Sequence, residues 1–221
     1  IMCGRCVRMC DEVRGLGILS INPDFHRNHW IGPESLQEAD CKFCGACVDA
    51  CPTGALFARS EKWIRPDRTV VTICPYCGVG CSLELKIFED KIISVTPSRE
   101  GAVNRGQACV KGHYGLEEIV HHPDRITTPL IKRNGQFEPA SWDEALDLVA
   151  RRFNEIKEKH GPDALGALSS SRCTNEENYL VQKLARAVFG TNNVDNCARV
   201  CHAPSVTGLA ACFGSGAATN S

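Results

Sequence analysis

Residues 41–52 read CKFCGACVDACP, and their four cysteines follow the spacing C-x2-C-x2-C-x3-C-P. In this spacing three thiolates on one tight loop bind one [4Fe–4S] cluster, while the fourth cysteine binds a second cluster. Gly45 has no Cβ, so we expect it to let the backbone pass close to an inorganic sulfide. Pro52 redirects the chain after the last cysteine. The stretch therefore predicts a fold that is organised around two iron–sulfur clusters.

A shorter run of cysteines opens the sequence as IMCGRCVRMC, residues 1–10. Its spacing equals that of 41–52 without the first cysteine, which would fall one residue before Ile1, so we expect an N-terminally cut fragment. A crosswise assignment gives a first ligand set of Cys10, Cys41, Cys44 and Cys47. The second ligand set is Cys3, Cys6 and Cys51, with one ligand outside this chain. Zinc, the alternative, would favour two separated C-x2-C pairs over these triplets.

The composition favours metal-ligating cysteines and argues against a nucleic-acid surface. Fifteen cysteines are an odd number, and cysteines two residues apart in tight loops make poor disulfides and good ligands. We therefore expect a reducing, cytoplasmic compartment. The 25 basic and 26 acidic side chains nearly balance, whereas phosphate binding needs a basic excess. No apolar run approaches the ~20 residues of a membrane span.

A third group of cysteines follows a β-branched run at 70–73. Alternating apolar residues after it predict a hairpin with its turn at Glu89 and Asp90. The last cysteine of the group is separated from the others by 27 residues. The ligands would be Cys74, Cys77, Cys81 and Cys109. Four thiolates from a loop and the end of a small sheet suit another [4Fe–4S] cluster, although this spacing alone leaves a structural zinc open.

From residue 126 the pattern changes to alternating helices and strands. Ser141 and Glu144 predict a capping box at the start of a helix that Gly161 ends. One apolar face of this helix is formed by Leu146, Val149, Ala150, Phe153 and Ile156.

Two short strands and a second helix complete this pattern. A strand is predicted at 164–168, a helix that Thr174 and Glu177 cap follows, and a strand lies near 193–195. Strand–helix–strand succession predicts an α/β domain with a partly parallel sheet.

Cys201 and His202 follow the last predicted strand, and a helix is expected to begin near Pro204. Ligands bind at the carboxyl ends of strands in such sheets, and a helix start favours the thiolate. Three hypotheses compete for this cysteine: a buried structural thiol, a Cys-His nucleophile for acyl transfer, and an axial thiolate on a redox metal. Only the third, with His202 moving a proton, gives the cluster cysteines and this pair one purpose, and we favour it.

Two stretches resemble known families. Cysteines 74–81 together with CVKG at 109–112 resemble the N-terminus of molybdopterin oxidoreductases of the dimethyl-sulfoxide-reductase type, which implies that Lys111 lies between cluster and pterin and helps to pass electrons. Residues 174–206, TNEENYLVQKLARAVFGTNNVDNCARVCHAPSV, resemble the catalytic subunit of metal-dependent formate dehydrogenases in its cysteine form. This second resemblance implies that Cys201 binds the metal and that His202 handles the proton. It also places Gly214 and Gly216 near the pterin.

The resemblance implies an oxidoreductase that interconverts formate and carbon dioxide. The implied cofactors are bis-molybdopterin guanine dinucleotide with molybdenum or tungsten and up to three [4Fe–4S] clusters, which relay electrons to a partner subunit of NAD-linked diaphorase, hydrogenase or ferredoxin type. The resembling proteins continue for several hundred residues beyond Ser221, so we expect this fragment to be inactive alone. One alternative is another molybdopterin oxidoreductase such as a nitrate reductase, in which Met typically follows the cysteine. The other is an electron-transfer-only iron–sulfur subunit, which needs no thiol at position 201.

The predicted fold has three parts. Residues 1–66 form an α+β two-[4Fe–4S] ferredoxin-like unit that is truncated at its N-terminus, and residues 67–125 form a small β-rich [4Fe–4S] subdomain. Residues 126–221 begin an α/β molybdopterin oxidoreductase domain that is truncated at its C-terminus. The remaining cysteines show no ligand spacing and are predicted to be buried or half-exposed thiols: Cys173, Cys197 and Cys212.

Overall fold

The computed structural model describes residues 2–21, 31–33, 35–58 and 64–216. The chain divides into two compact units, the first comprising Ile1–Cys74 with Cys81–His121 and the second Pro75–Gly80 with His122–Ser221. All fifteen cysteines lie within the described ranges, and none of them forms a disulfide. Across the same ranges, no helix combines the length and the apolar character that crossing a bilayer requires.

The N-terminal part of the first unit consists of short elements between the cysteine loops. These elements are α1 (Arg5–Arg8), a π-helical turn (Met9–Val13), β1 (Ser20–Ile21), β2 (Ile31–Gly32) and α2 (Ala46–Asp49). Strands β1 and β2 pair antiparallel. Cys6, Cys10 and Leu19 form a buried cluster, against which Cys47 and Leu56 pack. Two of the proposed ligand thiols are therefore part of the core itself.

The rest of the first unit is a three-stranded antiparallel sheet with one helix. Its elements are β3 (Arg68–Ile73), β4 (Ser82–Phe88), β5 (Lys91–Pro97) and α3 (Val110–Val120), and the strands lie in the order β3-β4-β5. The predicted hairpin is confirmed, because Glu89 and Asp90 have φ values of 47° and 61°, as both central residues of a type I′ turn require. Leu83 and Val95 are the most deeply buried side chains of the sheet.

The loop between β5 and α3 is fastened to the sheet by the buried amide of Asn104. Its Oδ1 accepts from the backbone N–H of Ser82 (2.9 Å), and its Nδ2 donates to the carbonyls of Ser82 (3.1 Å) and Gln107 (2.9 Å). A buried side-chain amide with these partners replaces the hydrogen bonds it would make with water. Asn104 thereby fixes the segment that leads into Cys109.

The second unit alternates strands and helices. Its elements are β6 (Leu130–Arg133), β7 (Gln136–Pro139), α4 (Trp142–His160), a 3₁₀ turn (Pro162–Ala164), β8 (Ala167–Ser169), α5 (Asn175–Lys183), a π-helical turn (Leu184–Phe189), β9 (Val194–Asn196), α6 (Ala198–Cys201) and α7 (Ala203–Phe213). β6 and β7 form an antiparallel hairpin, and β8 pairs with β9 in parallel. The predicted parallel pairing is confirmed, although β8 begins later than expected because the 3₁₀ turn precedes it.

Helix α4 begins and ends as predicted, but its N-terminal cap is only half of the expected box. Ser141 Oγ accepts from the N–H of Glu144 at 3.1 Å, and Gly161 follows the last helical residue. The Glu144 carboxylate pairs instead with Arg133 of β6. The Glu144 side chain, which the sequence assigned to the capping box, therefore forms a tertiary ion pair and does not cap the helix.

The apolar face of α4 remains largely exposed, with Leu146 at 58% and Val149 at 49% of full exposure. Phe153 of this face makes an edge-to-face contact with Phe189, with ring centroids 4.9 Å apart. Phe189 in turn forms a buried cluster with Leu165 and Ala185. This cluster, between the parallel strands and the helical segment that joins them, is the core of the second unit.

The capping box predicted at the start of α5 can be tested directly. Thr174 Oγ1 accepts from the N–H of Glu177 (3.2 Å), and the Glu177 carboxylate accepts from the N–H of Thr174 (2.7 Å), so the predicted capping box is complete. Replacing Thr174 by Ala removes one half of the box and costs about 0.5–2 kcal/mol. We expect amide hydrogen exchange across Asn175–Lys183 to accelerate by about two- to thirtyfold, the equivalent of that loss.

Thr207→Ala is the matched control, because the Thr207 hydroxyl donates within α7 to the carbonyl of Ala203 and caps no helix. Its α5 exchange rates should equal those of the unmodified protein. Equal protection of α5 in the Thr174→Ala variant would show that the box contributes nothing to this helix.

Candidate functional site

A cavity of about 870 Å³ lies between the two N-terminal cysteine runs. The cysteines that line it are Cys10, Cys41, Cys44 and Cys47, and apolar side chains such as Leu16, Leu19 and Leu56 line it beside them. The structure therefore brings the first predicted ligand set together around one mainly apolar space. Three of these thiols come from the loop before α2 and from α2 itself, and Cys10 comes from the π-helical turn.

The electrostatics of Cys47 indicate the same grouping. Burial, together with the charges of Cys44, Cys41 and Cys10, raises the pKa of the Cys47 thiol to about 11. Crowded thiolates in an apolar space repel one another, whereas a bound metal centre neutralises part of their charge. This donor set fits a [4Fe–4S] cluster because the cluster removes the repulsion that the free thiolates would feel.

The second predicted set is also brought together. Burial raises the pKa of Cys6, and the charges of Cys51 and Cys3 act in the same direction. The Cys51 thiol has its pKa lowered to about 7, chiefly by the backbone N–H of Leu56 and also by Thr53. Cys51, although it is only four residues after Cys47 in the sequence, thus groups electrostatically with Cys6 of the N-terminal run.

The cysteines of the third group that belong to the first unit lie where the sheet meets the first turn of α3: Cys74, Cys81 and Cys109. The N–H of Cys74 donates to the carbonyl of Cys81 at 2.8 Å, and a Cβ on Gly112 would stand 3.6 Å from Cys74 Sγ. Cys109 is the N-terminal flanking residue of α3 and is exposed, as is Lys111 in the first turn. Cys77 lies in the segment Pro75–Gly80, which groups with the second unit.

No three His, Cys, Asp or Glu side chains converge as a single-ion site anywhere in the described part of the chain. This arrangement is compatible with cubane clusters, because each thiolate of a [4Fe–4S] cluster binds a different iron and the four sulfurs stand around the cluster. A mononuclear zinc site would need four donors around one ion. The cluster interpretation therefore rests on the cysteine spacing itself.

The structure gives Gly45 a steric role of its own, while its close approach to an inorganic sulfide stays a prediction. A Cβ at Gly45 would lie 2.6 Å from Cδ2 and 2.7 Å from Nε2 of His113, and Gly45 has a φ of 78°. The space that the glycine leaves is filled by this imidazole, with the Tyr114 hydroxyl close by. Sequence reasoning missed His113, although it lies directly after the CVKG stretch at 109–112.

Cys201 and His202 lie beyond the carboxyl end of the parallel strand β9. Helix α7 begins at Ala203 with Pro204 in its first turn, which confirms the predicted helix start. Cys201 precedes this helix as expected, and it is also the last residue of the short helix α6, which the sequence did not predict; its N–H donates to the carbonyl of Cys197 at 3.1 Å. Both side chains of the Cys201–His202 pair are exposed.

A second thiol lies close to the ends of both parallel strands. Cys197 Sγ accepts from the N–H of Ser171 at 3.3 Å and lies 3.4 Å from its hydroxyl and 3.7 Å from that of Ser170. The Ser171 hydroxyl and N–H lower the pKa of this thiol. The prediction of a buried or half-exposed thiol is wrong for Cys197 and Cys212, which are exposed, and holds for Cys173.

The two glycines near the end of the described chain have local steric reasons to be glycine. Gly214 ends α7 with a φ of 75°. A Cβ on Gly216 would lie 2.5 Å from Cγ1 of Val206 and 3.0 Å from its carbonyl oxygen. Contact of these residues with a pterin stays a prediction.

Comparison with known proteins identifies the family of each part of the chain. Residues 1–55 match the 4Fe-4S dicluster domain, residues 67–121 the molybdopterin oxidoreductase Fe4S4 domain, and residues 125–220 the molybdopterin oxidoreductase domain. Proteins named "Putative formate dehydrogenase" from Staphylococcus aureus strains USA300 and N315 are each 39% identical over 98% of this chain. The chain spans 26% of the length of these curated relatives.

Among solved structures, acetylene hydratase from Pelobacter acetylenicus has a TM-score of 0.50 and 22% sequence identity, covering 63% of this chain and 20% of that protein. At this identity the likeness concerns the fold alone. The matched domains imply [4Fe–4S] clusters and a molybdopterin cofactor, and they agree with the predicted fold class. The chain therefore belongs to the molybdopterin oxidoreductase family.

Proposed function

We propose that the protein to which this chain belongs interconverts formate and carbon dioxide at a pterin-bound molybdenum or tungsten centre. The observation that carries the proposal is the Cys201–His202 pair beyond the carboxyl end of β9, the edge at which α/β sheets bind ligands. The relatives named as formate dehydrogenases support it through 39% identity. An acyl-transfer role for the pair would leave the cysteine-rich first unit without a purpose.

The side chains have distinct roles in this proposal. Cys201 is the thiolate ligand of the metal, and His202 takes or returns the proton that accompanies the interconversion. Oxidation of formate to carbon dioxide releases two electrons and one proton. When bound, the clusters and the pterin-bound metal supply the redox chemistry that amino-acid side chains lack.

The ligand sets assigned from the sequence complete the proposed site. They are Cys10, Cys41, Cys44 and Cys47; Cys3, Cys6 and Cys51; and Cys74, Cys77, Cys81 and Cys109. Lys111 is proposed to lie between the third cluster and the pterin, and Gly214 and Gly216 beside the pterin.

The organisation and cellular context of the whole protein belong to the same proposal. We propose domains at 1–66, 67–125 and 126–221, a cytoplasmic location, and an electron-transfer partner subunit of diaphorase, hydrogenase or ferredoxin type. Because one thiol and one imidazole cannot store electrons, the proposed activity needs the clusters to pass electrons to that partner.

Replacing Cys201 by Ala in the full-length protein should abolish formate-dependent dye reduction while the iron–sulfur absorption remains.

His202→Gln should lower kcat by about 10²–10⁴-fold, the range for loss of a positioned proton-transfer group, with an unchanged molybdenum or tungsten content. Metal analysis and anaerobic dye assays measure both effects.

Cys212→Ala is the matched control, since Cys212 is an exposed thiol without ligand spacing, and it should retain activity. Unchanged electron throughput in the Cys201→Ala variant would instead support an electron-transfer-only subunit. Turnover of nitrate but not formate by the unmodified protein would support a nitrate reductase.

The crosswise cluster assignment predicts which cysteine variants act alike. Cys10→Ala and Cys44→Ala should each remove the same cluster, seen as loss of one set of electron paramagnetic resonance (EPR) signals and about four iron atoms. The double variant should lose no more iron than either single variant. Cys6→Ala should remove a different set of signals, because Cys6 groups with Cys3 and Cys51.

The assignment is wrong if Cys10→Ala and Cys6→Ala abolish the same signals while Cys44→Ala abolishes another. In that case each cysteine run would hold its own cluster. Iron analysis of anaerobically purified full-length protein provides the reference value.

A further inference from the structure

His113 makes a buried contact that the proposed function does not explain. Its side chain is 1% exposed, and Nε2 lies 3.1 Å from both carboxylate oxygens of Asp49. The other ring nitrogen, Nδ1, is buried and has no hydrogen-bond partner among the described residues. Within that part of the chain, the hydrogen bonding of this ring is therefore directed to Asp49, 64 residues away in the sequence.

The two partners lie beside ligands of different clusters. Asp49 ends α2 between Cys47 and Cys51, which belong to the first and second proposed ligand sets. His113 is one helical turn after Cys109, and its N–H donates to the Cys109 carbonyl at 3.0 Å. A single side-chain pair thus joins the segment that carries the front clusters to the helix that begins at the third cluster's ligand.

The fit around the imidazole is tight. The left-handed backbone of Gly45 leaves room that any Cβ would close, since the added carbon would stand 2.6 Å from the ring. Tyr114 packs against the same imidazole, with centroids 4.3 Å apart and an interplanar angle of 34°. A ring confined by a glycine on one side and an aromatic side chain beside it has little freedom to shift.

Contacts of Gln107, which precedes Cys109 in the chain, also connect this segment to the front cysteine runs. Arg14 Nη1 donates to Gln107 Oε1 at 3.2 Å, and Gln107 Nε2 lies 3.9 Å from the sulfur of Met9. Met9 and Arg14 belong to the segment that carries Cys10. Cys109 is therefore held against the front part of the first unit both before and after its position in the chain.

We propose that His113 is a positioning residue that fixes Cys109 relative to the cluster set of Cys10, Cys41, Cys44 and Cys47. The inference rests on the proposed ligand sets and deepens the proposed electron relay. Electron exchange between two clusters moves one electron, oxidising one cluster and reducing the other, and no bond forms or breaks. Its rate falls steeply with distance, so a side-chain pair that fixes the separation controls it.

The pair also has an energetic reason to persist. Removing the imidazole donor leaves the Asp49 carboxylate, which is 20% exposed, without this partner. A poorly solvated acceptor that loses its donor destabilises the contact between α2 and α3. Loss of the imidazole is therefore expected to loosen the contact between α2 and α3 while the cysteines keep their clusters.

The test uses the full-length protein with His113→Phe, which keeps a ring over Gly45 but has no hydrogen-bond donor, and His113→Gln, which keeps an N–H donor. In the Phe variant we expect full iron and sulfide content together with loss of the EPR spin–spin splitting between the reduced clusters. Freeze-quench EPR should show slower electron exchange between these clusters. The Gln variant should restore the splitting. His160→Phe, an exposed residue at the end of α4, is the control and should match the unmodified protein.

A Phe variant with full iron content and an unchanged splitting and exchange rate would overturn the proposal. Loss of iron in both the Phe and the Gln variants would also overturn it, because His113 would then be needed for cluster assembly. Neither readout depends on formate. A protein with coupled clusters and no formate activity would therefore contradict the proposed function and leave the role of His113 standing.

Discussion

The burial of crowded cysteine thiols, which together with their mutual repulsion disfavours the thiolate form, is the constraint on which the N-terminal part of the first unit depends. Its N-terminal core contains Cys6 and Cys10 as buried side chains, in places where a small globular domain usually has aliphatic residues. The charges of neighbouring cysteines raise the pKa of Cys47 in addition to the effect of burial. Such a core is stable when an inorganic centre shares the charge of the sulfurs. We therefore expect cluster binding to stabilise the fold of this part of the molecule.

A second constraint is steric, because the segments that carry the clusters must lie at fixed distances from one another. A cluster-bearing segment is useful for electron transfer only if it lies at a fixed distance from the next segment. Gly45 and the imidazole of His113 meet within van der Waals contact, and the carboxylate of Asp49 holds the ring from the other end of α2. Gln107 and Arg14 tie the preceding segment to the π-helical turn. These contacts bring the hairpin subdomain and the front cysteine loops into one compact unit.

The second unit is organised differently, because it exposes reactive side chains at the end of a small parallel sheet. β8 and β9 pair in parallel around a core of Leu165, Ala185 and Phe189. Both strands end in segments that carry thiols and hydroxyls, with Cys197 beside Ser171 and Cys201 four residues later in α6. Backbone geometry at the strand ends therefore gathers these side chains on one edge, the place where α/β folds bind ligands.

The sequence by itself determined the features that depend on residues a few positions apart. The cysteine spacings, the Glu89–Asp90 turn, the Thr174–Glu177 box and the end of α4 at Gly161 all follow from such local geometry. Only the tertiary structure decided that the Glu144 carboxylate joins Arg133, that the face of α4 with Leu146 stays exposed, and that His113 occupies the space over Gly45. Those outcomes depend on which distant segment reaches a given surface. Spacing along the chain cannot encode that, because the partner is chosen by the packing of the whole unit.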